Sequence, residues 1–249
     1  TGAGSLASNK HISLVDQTLN GMFPCASGTE AAAAADTAHS GRVTAVGNVW
    51  TLSTLGLSTS ITFAVCYTEG DGTSSASWVD SGIRLTISKI TSIKYGTSSP
   101  SFPVRTMTST NVAAATNTLP QVAGAAVVTY VGDLASDKWI SLVDASLHNP
   151  TGGGPCVAGS EAAKTADSGH SGAAVAAGGT SISTFAQSTL LNASKTFAVC
   201  YAETTGLTSD RTWRDSYIRV RISKLQSLTS HGIGHVTNGQ IAREGRPTE

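Results

Sequence analysis

The chain has 249 residues, of which 16 are basic and 16 acidic, so its formal net charge is zero and only 13% of its residues are charged. The absence of a Lys/Arg cluster excludes the basic patch that a nucleic-acid-binding surface needs. No apolar run approaches the ~20 residues of a membrane-spanning helix. Serine and threonine make up roughly a quarter of the chain, which is more typical of secreted or wall-associated proteins than of cytosolic enzymes.

An internal repeat organises the sequence. Segments of the first half recur in the same order in the second half, which predicts two copies of one module. The matched pairs are KHISLVDQTL (10–19) and KWISLVDASL (138–147), PC (24–25) and PC (155–156), GTEAA (28–32) and GSEAA (159–163), DTAHSG (36–41) and DSGHSG (167–172), TFAVCY (62–67) and TFAVCY (196–201), WVDSGIRLTISK (78–89) and WRDSYIRVRISK (213–224).

The four cysteines follow the repeat, with Cys25 and Cys66 at the positions that match Cys156 and Cys200. The simplest pairing is one disulfide per module, closing a loop of about 40 residues and stabilising each module by ~3–4 kcal/mol if loop-closure entropy dominates. Such bonds imply an oxidising, extracellular compartment. The alternatives are buried free thiols or a metal site, although the C-x-x-C spacing of metal ligands is absent.

In chain order, each module begins with the strand ISLVD and continues with a short helix, for which Thr29 and Ser160 are candidate N-caps before Glu30 and Glu161. The segment TFAVCY then has small or apolar residues on both faces, as in a strand buried between layers. The segment SGIRLTIS alternates, with Ile83, Leu85 and Ile87 on one face, and predicts a half-exposed strand. The fold class is therefore all-β, with two tandem antiparallel β-sandwich modules that each carry a short helix and one disulfide.

The two modules are predicted to be unequal. We assign residues 1–96 to the first module, 97–228 to the second and 229–249 to a C-terminal tail. The second module has extra N-terminal strands within 102–131, notably PVRTMTS and GAAVVTYV, which leaves the first with an open edge or unfilled groove. The tail contains a predicted strand, HVTNGQIA (235–242).

A surplus strand at one end and a missing strand at the other suggest head-to-tail strand donation between identical subunits, which builds a helical polymer unless it closes into a ring. We assign His235, Val236 and Ile241 to this contact. The alternative is a tail without structure and a first module that is complete as it stands.

A repeated Glu, Asp, His and Ser set is the best candidate for chemistry: Glu30, Asp36, His39 and Ser40 match Glu161, Asp167, His170 and Ser171. Adjacent His and Ser rarely form a triad, and a structural corner explains the duplication equally well, so no catalytic residue is assigned. His231 and His235 have no carboxylate or Cys nearby, so no metal site is assigned, and no cofactor is expected.

Three further motifs remain. Asp80 and Asp215 can each hold a turn and pair with the following Arg, while Trp78 and Trp213 are expected to cap the sandwich cores, with a carbohydrate site as the alternative. Asn192 begins the sequon NAS in a polar stretch before a core strand, and is a candidate for N-glycosylation. The Ser/Thr-rich segment 97–103 is a candidate for O-glycosylation.

The FAVCY and WxDSxIR blocks, in tandem disulfide-bonded and Ser/Thr/Ala-rich modules, resemble secreted repeat proteins of algae and related microbial eukaryotes. The whole chain resembles the subunits of extracellular, glycan-coated fibrils recovered from environmental samples, over residues 4–94 and 132–227. This resemblance implies an immunoglobulin-like fold, helical assembly through an exchanged strand, covalent surface glycans and no catalytic residues. A structural filament subunit is thus the expected function; a monomeric secreted adhesin or carbohydrate-binding protein and, less favoured, a secreted hydrolase are the alternatives.

Overall fold

The computed structural model describes residues 6–47, 49–96, 105–109, 117–121, 127–147, 154–182, 191–236 and 239–243. Over these residues the chain is mostly β-sheet with a few short helical turns, as the sequence predicted. None of the described helices has both the length and the apolar character needed to cross a bilayer. The O-glycosylation candidate at 97–103 lies outside the described residues.

The strands and helices are short, and they are numbered here in chain order. The strands are β1 His11–Asp16, β2 Val43–Thr44, β3 Thr62–Thr68, β4 Val79–Thr86, β5 Ile90–Tyr95, β6 Arg105–Thr108, β7 Thr118–Leu119, β8 Val128–Gly132, β9 Trp139–Asp144, β10 Ala174–Val175, β11 Ser181–Ile182, β12 Thr196–Ala202, β13 Arg214–Ile222, β14 Leu228–Ser230 and β15 Ile233–His235. The helical turns are α1 Leu19–Met22, a 3-10 turn Pro24–Ala26, α2 Gly28–Ala31 and α3 Gly159–Ala162.

The chain divides into two compact units, Thr1–Ile87 and Ser88–Glu249. This division falls earlier than the boundary that we expected after residue 96. The reason is strand β5, which follows the last strand of unit 1 directly but pairs with β6 and β8 of unit 2.

Unit 1 contains one antiparallel sheet in the described residues, with the strand order β2-β1-β3-β4. One face packs on the helical turns and contains Cys25, Cys66 and Trp78. The other face has a small cluster around Leu14 and Phe63. The second sheet of the predicted sandwich is not found among these residues.

Unit 2 contains two sheets around a shared core. The first has the order β10-β9-β12-β13-β7 and the second the order β11-β8-β5-β6. One apolar cluster takes buried side chains from both sheets, including Ile93 and Tyr130 from the second and Phe197 and Val220 from the first. The strands expected within 102–131 are present as β6, β7 and β8. The sheets are not purely antiparallel as predicted, because the edge strand β7 runs parallel to β13.

The cysteines pair within each repeat, Cys25 with Cys66 and Cys156 with Cys200, with Cα–Cα distances of 5.2 Å in both. These are the two pairs that the repeat predicts. Each bond ties the helical segment to the central strand containing TFAVCY, β3 or β12. The identical apolar stretch is thus the central strand of each module and the anchor of its disulfide.

The predicted helix caps are wrong. In α2 the cap is Ser27, whose Oγ accepts a hydrogen bond from the Glu30 N–H, and Thr29 lies inside the helix. In α3 the capping position is Ala158, which has no side-chain acceptor. The helices begin earlier than expected because Gly28 and Gly159 pass close to a neighbouring loop, where a Cβ would lie 2.1 Å from Ser74 O and 2.3 Å from Thr208 O.

The predicted tail strand 235–242 is also wrong. The structure has a hairpin of β14 and β15 instead, paired through Leu228↔His235 and Ser230↔Ile233. His231 and Gly232 both have positive φ, 51° and 74°, as a tight two-residue hairpin turn requires. This turn closes the hairpin early, and residues 239–243 are not in a strand.

Candidate assembly surface

One face of the unit 1 sheet exposes aliphatic side chains whose counterparts in unit 2 are buried. All eight residues of β4 are exposed. Ile83 is 54% and Leu85 42% exposed, whereas Ile218 and Val220, at the matching positions of β13, are both 0% exposed. In unit 1 the described residues thus cover Leu14 and Phe63 but leave Ile83 and Leu85 of β4 exposed, whereas unit 2 covers the matching β13 side chains.

In unit 2 the covering layer is the sheet β11-β8-β5-β6. Ile90 and Ile93 of β5 lie in the same core cluster as Ile218 and Val220. Just before β5, the backbone N–H of Lys89 donates a hydrogen bond to Tyr201 Oη over 3.1 Å, and the Lys89 ammonium pairs with Glu203. Burial raises the pKa of Tyr201 above its usual range, so the phenol keeps its proton at neutral pH.

The three predicted assembly residues lie together in the structure. His235, Val236 and Ile241 line one groove of about 320 Å³ with Leu225 and Leu228. Val236 and Ile241 are exposed. The C-terminal segment thus presents a cluster of apolar side chains to solvent, which is unusual for a short polar tail.

A bidentate Asp–Arg pair spans the start of the matching strands β4 and β13, as the motif predicted. Arg84 Nη1 and Nη2 lie 2.8 and 2.7 Å from the Asp80 carboxylate oxygens, and Arg219 repeats this with Asp215 at 2.8 and 2.6 Å. Hydrogen bonds from Arg84 lower the pKa of Asp80 in spite of its partial burial. Asp80 also accepts from the Gly82 N–H at 2.8 Å, so the pair fixes a turn and is not aimed at a ligand.

The repeated His residues are each held between two carboxylates. His39 Nδ1 lies 2.9 Å from Asp36 Oδ1, and Nε2 lies 3.0 Å from Glu30 Oε2. His170 has the same contacts, to Asp167 at 2.7 Å and Glu161 at 2.9 Å. A hydrogen bond from the Ala38 N–H, followed by that of His39, lowers the pKa of Asp36.

These clusters do not have the geometry of a hydrolytic triad, because both ring nitrogens face acids and neither faces a serine. Ser40 Oγ instead accepts from the Leu14 N–H at 2.8 Å and donates to Gly41 O at 2.9 Å. Ser171 makes the same two bonds, with Leu142 and Gly172. The repeated Glu, Asp, His and Ser set therefore joins the helix to the first strand of the module, which is the structural-corner role that we weighed against catalysis.

The aromatic residues divide into buried and exposed sets. Trp78 and Trp213 are buried, and each indole N–H donates to a loop carbonyl, Thr73 O or Leu207 O, at 3.0 Å. Neither is available to stack on a sugar. Tyr217 is the opposite case, with 63% exposure and a φ of 64° at the position where the first module has Gly82.

Asn192 lies in an exposed turn before β12. Its Oδ1 accepts a hydrogen bond from the Ser194 N–H at 2.8 Å, and its carbonyl accepts from the Lys195 N–H at 3.0 Å. The residue is exposed.

Sequence reasoning missed Lys224 and Leu225, which lie just before the hairpin, and Leu228, which begins β14. The sequence repeat could have identified them, because the match between the two copies continues past Lys89 and Lys224.

Comparisons of the chain with protein-family models, with curated proteins and with solved structures found no match in any of the three. The function therefore has to be argued from the geometry of the molecule itself.

Proposed function

We propose that the protein is a structural subunit of an extracellular filament, assembled head-to-tail by donation of a strand segment from one copy to the next, with immunoglobulin-like modules and glycans on its surface. One observation carries this proposal: Ile83 and Leu85 of β4 are exposed in unit 1, whereas their counterparts in β13 are buried under a second sheet in unit 2. Covering an aliphatic side chain of this size stabilises by ~1.5–3 kcal/mol. A face with several of them is a binding surface for an apolar segment.

Two features of the described residues support the extracellular setting. Both disulfides close within a module, and such bonds persist in oxidising compartments. Asn192 is exposed, as an N-glycosylation site has to be. In addition, the chain as a whole has few charged residues and many hydroxyl side chains, which suits a glycan-coated polymer.

The test is to place charge on the exposed face. Ile83→Asp combined with Leu85→Asp is expected to abolish fibres in negative-stain microscopy and to leave a monomer in size-exclusion chromatography, because burying a carboxylate against an apolar segment costs several kcal/mol. Both side chains are exposed already, so the circular dichroism spectrum should not change. Val46→Asp is the matched control, since Val46 is 83% exposed and lies beyond β2, at the edge of the sheet opposite β4. Fibres from the double variant, at the yield of the unmodified chain, would contradict the proposal.

The second candidate, a monomeric secreted adhesin or carbohydrate-binding protein, is favoured by one observation. A bulky residue with positive φ costs ~1–2 kcal/mol, and Tyr217 is held in this conformation with its ring exposed. Strain of this kind concentrates at binding sites. An unmodified chain that stays monomeric at every concentration would favour this candidate over the filament subunit.

A further inference from the structure

The repeat extends beyond the blocks aligned above, into the segments that follow the matching strands β4 and β13. After β4 the chain reads SKITSI (88–93), and after β13 it reads SKLQSL (223–228). A Ser, a Lys and two aliphatic residues thus recur at identical spacing. The two segments have different surroundings in the structure.

The first segment covers the module that comes next in the chain. It follows β4 of unit 1 directly, but it belongs to unit 2, where it forms β5 in the second sheet. Ile90 is 3% and Ile93 0% exposed. A segment that leaves one module thus completes the core of the following module.

The second segment has the same local conformation but no cover. Ser88 Oγ donates to Ile90 O at 3.1 Å and accepts from its N–H at 3.3 Å; Ser223 Oγ makes the same two bonds to Leu225, at 3.0 and 3.1 Å. Yet Leu225 is 65% and Leu228 54% exposed. The backbone from Ser223 to Leu225 is therefore held as it is from Ser88 to Ile90, but Leu225 and Leu228 are exposed to solvent.

The exposed face of unit 1 carries the groups that β5 contacts in unit 2. Tyr67 and Glu69 occupy the positions of Tyr201 and Glu203, because TFAVCY is identical in the two repeats and a Glu follows two residues later in both. Glu69 and Lys224 are exposed, and neither side chain forms an ion pair with another described residue. Their charges are complementary, as those of Lys89 and Glu203 are.

We propose that the segment 223–230 of one copy lies across the unit 1 sheet of a second copy, in the place that Ser88–Tyr95 takes in unit 2. Leu225 and Leu228 then cover Ile83 and Leu85, the Lys224 ammonium pairs with Glu69, and the Lys224 N–H donates to Tyr67 Oη.

This inference rests on the proposed filament and names its contact. The donated segment packs on the face of the acceptor sheet, and it precedes the assembly residues expected from the sequence, His235, Val236 and Ile241. The occupant is a second copy, because the segment 223–228 repeats the one that covers unit 2, and the matching side chains that lack a cover among the described residues are Ile83 and Leu85 of unit 1.

Charge reversal tests the proposed pairing of Lys224 with Glu69, which sets the register of the segment on the unit 1 sheet. Lys224→Glu and Glu69→Lys each create a like-charge pair at the contact, and each is expected to raise the critical concentration for fibre formation about fivefold or more. The double variant restores an opposite pair and should assemble as the unmodified chain does. Arg211→Glu is the charge-matched control, an exposed position on which the unmodified contact does not depend.

A mixture of the two single variants should assemble as well. At one kind of contact the introduced glutamate of the first variant meets the introduced lysine of the second. At the other kind, the unchanged Lys224 of the second variant meets the unchanged Glu69 of the first. Both contacts therefore join opposite charges, and the two variants alternate along the fibre.

The outcomes distinguish an error in the proposed contact, Lys224 with Glu69, from an error in the proposed filament function. If the unmodified chain forms fibres and both single variants match it, the register is wrong although the filament proposal stands. If the double variant assembles but the mixture does not, the segment covers unit 1 of its own chain, which overturns exchange between copies. If deletion of 224–249 leaves fibre formation unchanged, the cover comes from a different segment. If the unmodified chain forms no fibres, the proposed function itself fails.

Discussion

At the scale of single residues, Asp210 is the clearest example of a carboxylate that holds a loop together. Its Oδ2 accepts from the N–H groups of Thr205 and Gly206 at 2.7 and 2.8 Å, and its Oδ1 accepts from the N–H and hydroxyl of Thr212 at 2.8 and 2.6 Å. Burial alone would raise the pKa of Asp210. The hydrogen bonds, above all that of the Thr212 hydroxyl, outweigh it and lower the pKa far below its usual range.

Replacing this residue gives a prediction with a pH dependence. Asp210→Asn replaces one accepting oxygen by an NH2 group, so the donors on that side lose their acceptor, and the free energy of unfolding should fall by ~1–3 kcal/mol at pH 7. Because the folded-state pKa is depressed, the stabilisation by the carboxylate is complete above the unfolded-state pKa of about 4 and is lost as the pH falls below it. The difference between the two proteins in urea denaturation should therefore shrink from pH 7 to pH 2.5.

The control for that measurement is Asp71→Asn in the corresponding loop of the first module. Asp71 is exposed, and its carboxylate accepts from the N–H and hydroxyl of a single residue, Thr73, so a smaller effect is expected. An Asp210 variant that is as stable as the Asp71 variant, or a difference that does not depend on pH, would contradict the assignment.

Sequence patterns predicted some residue contacts well and others poorly. The Asp–Arg pairs were predictable because an Asp and an Arg four residues apart flank a turn in both repeats. The helix caps were not, since Ser27 and Thr29 are equally good acceptors in isolation. The choice between them depends on the close approach of Gly28 to Ser74 O, a tertiary contact that no local pattern contains.

At the scale of elements, the disulfides fix the helical segment of each module on its central strand. Cys156 and Cys200 are fully buried and lie in one small cluster with Trp213 and Val143. Cys25 and Cys66 have the same position against Trp78 and Val15. In each module, a covalent bond as well as apolar packing thus holds the helical segment against the central strand.

Removing one disulfide should therefore destabilise its module strongly. The variant Cys156→Ser with Cys200→Ser opens a loop of 44 residues and should cost ~3–4 kcal/mol of unfolding free energy, with added loss from burying two hydroxyls. The matched control is Cys25→Ser with Cys66→Ser, whose loop of 41 residues predicts a similar loss in unit 1. Differential scanning calorimetry measures both, and an unchanged transition in either variant would argue against a structural role for that bond.

The tail shows where strand prediction from sequence fails at this scale. HVTNGQIA has the alternation of a strand, but the turn at His231 and Gly232 pairs 228–230 with 233–235 before that pattern begins. The geometry of this turn determined which strands pair, and the apolar residues beyond it, Val236 and Ile241, line a groove instead of forming a strand. The predicted assembly residues were nevertheless brought together there with Leu225 and Leu228.

At the scale of the whole molecule, the two modules have nearly the same sequence pattern, but matching side chains differ in how far they are buried. Ile83 and Leu85 are exposed and their counterparts buried, and nothing within SGIRLTIS could have shown this, because burial depends on what lies across the face. What the sequence did show was the extra segment 102–131 in the second module. That asymmetry predicted an uncovered first module, and the exposure of Ile83 and Leu85 agrees with it, whereas the proposal for what covers them depends on the hydrogen bonds between Ser223 and Leu225.

The most direct measurement of the central claim is the assembly state of a chain that ends at Ser223, beside the full chain, by size-exclusion chromatography and negative-stain microscopy. The deleted residues lie beyond β13, and those that are described are mostly exposed, so the truncated protein should stay folded with both disulfides intact. We expect fibres from the full chain and only folded monomers from the truncated one. Fibres from both proteins, or monomers from both, would contradict assembly through a donated C-terminal segment.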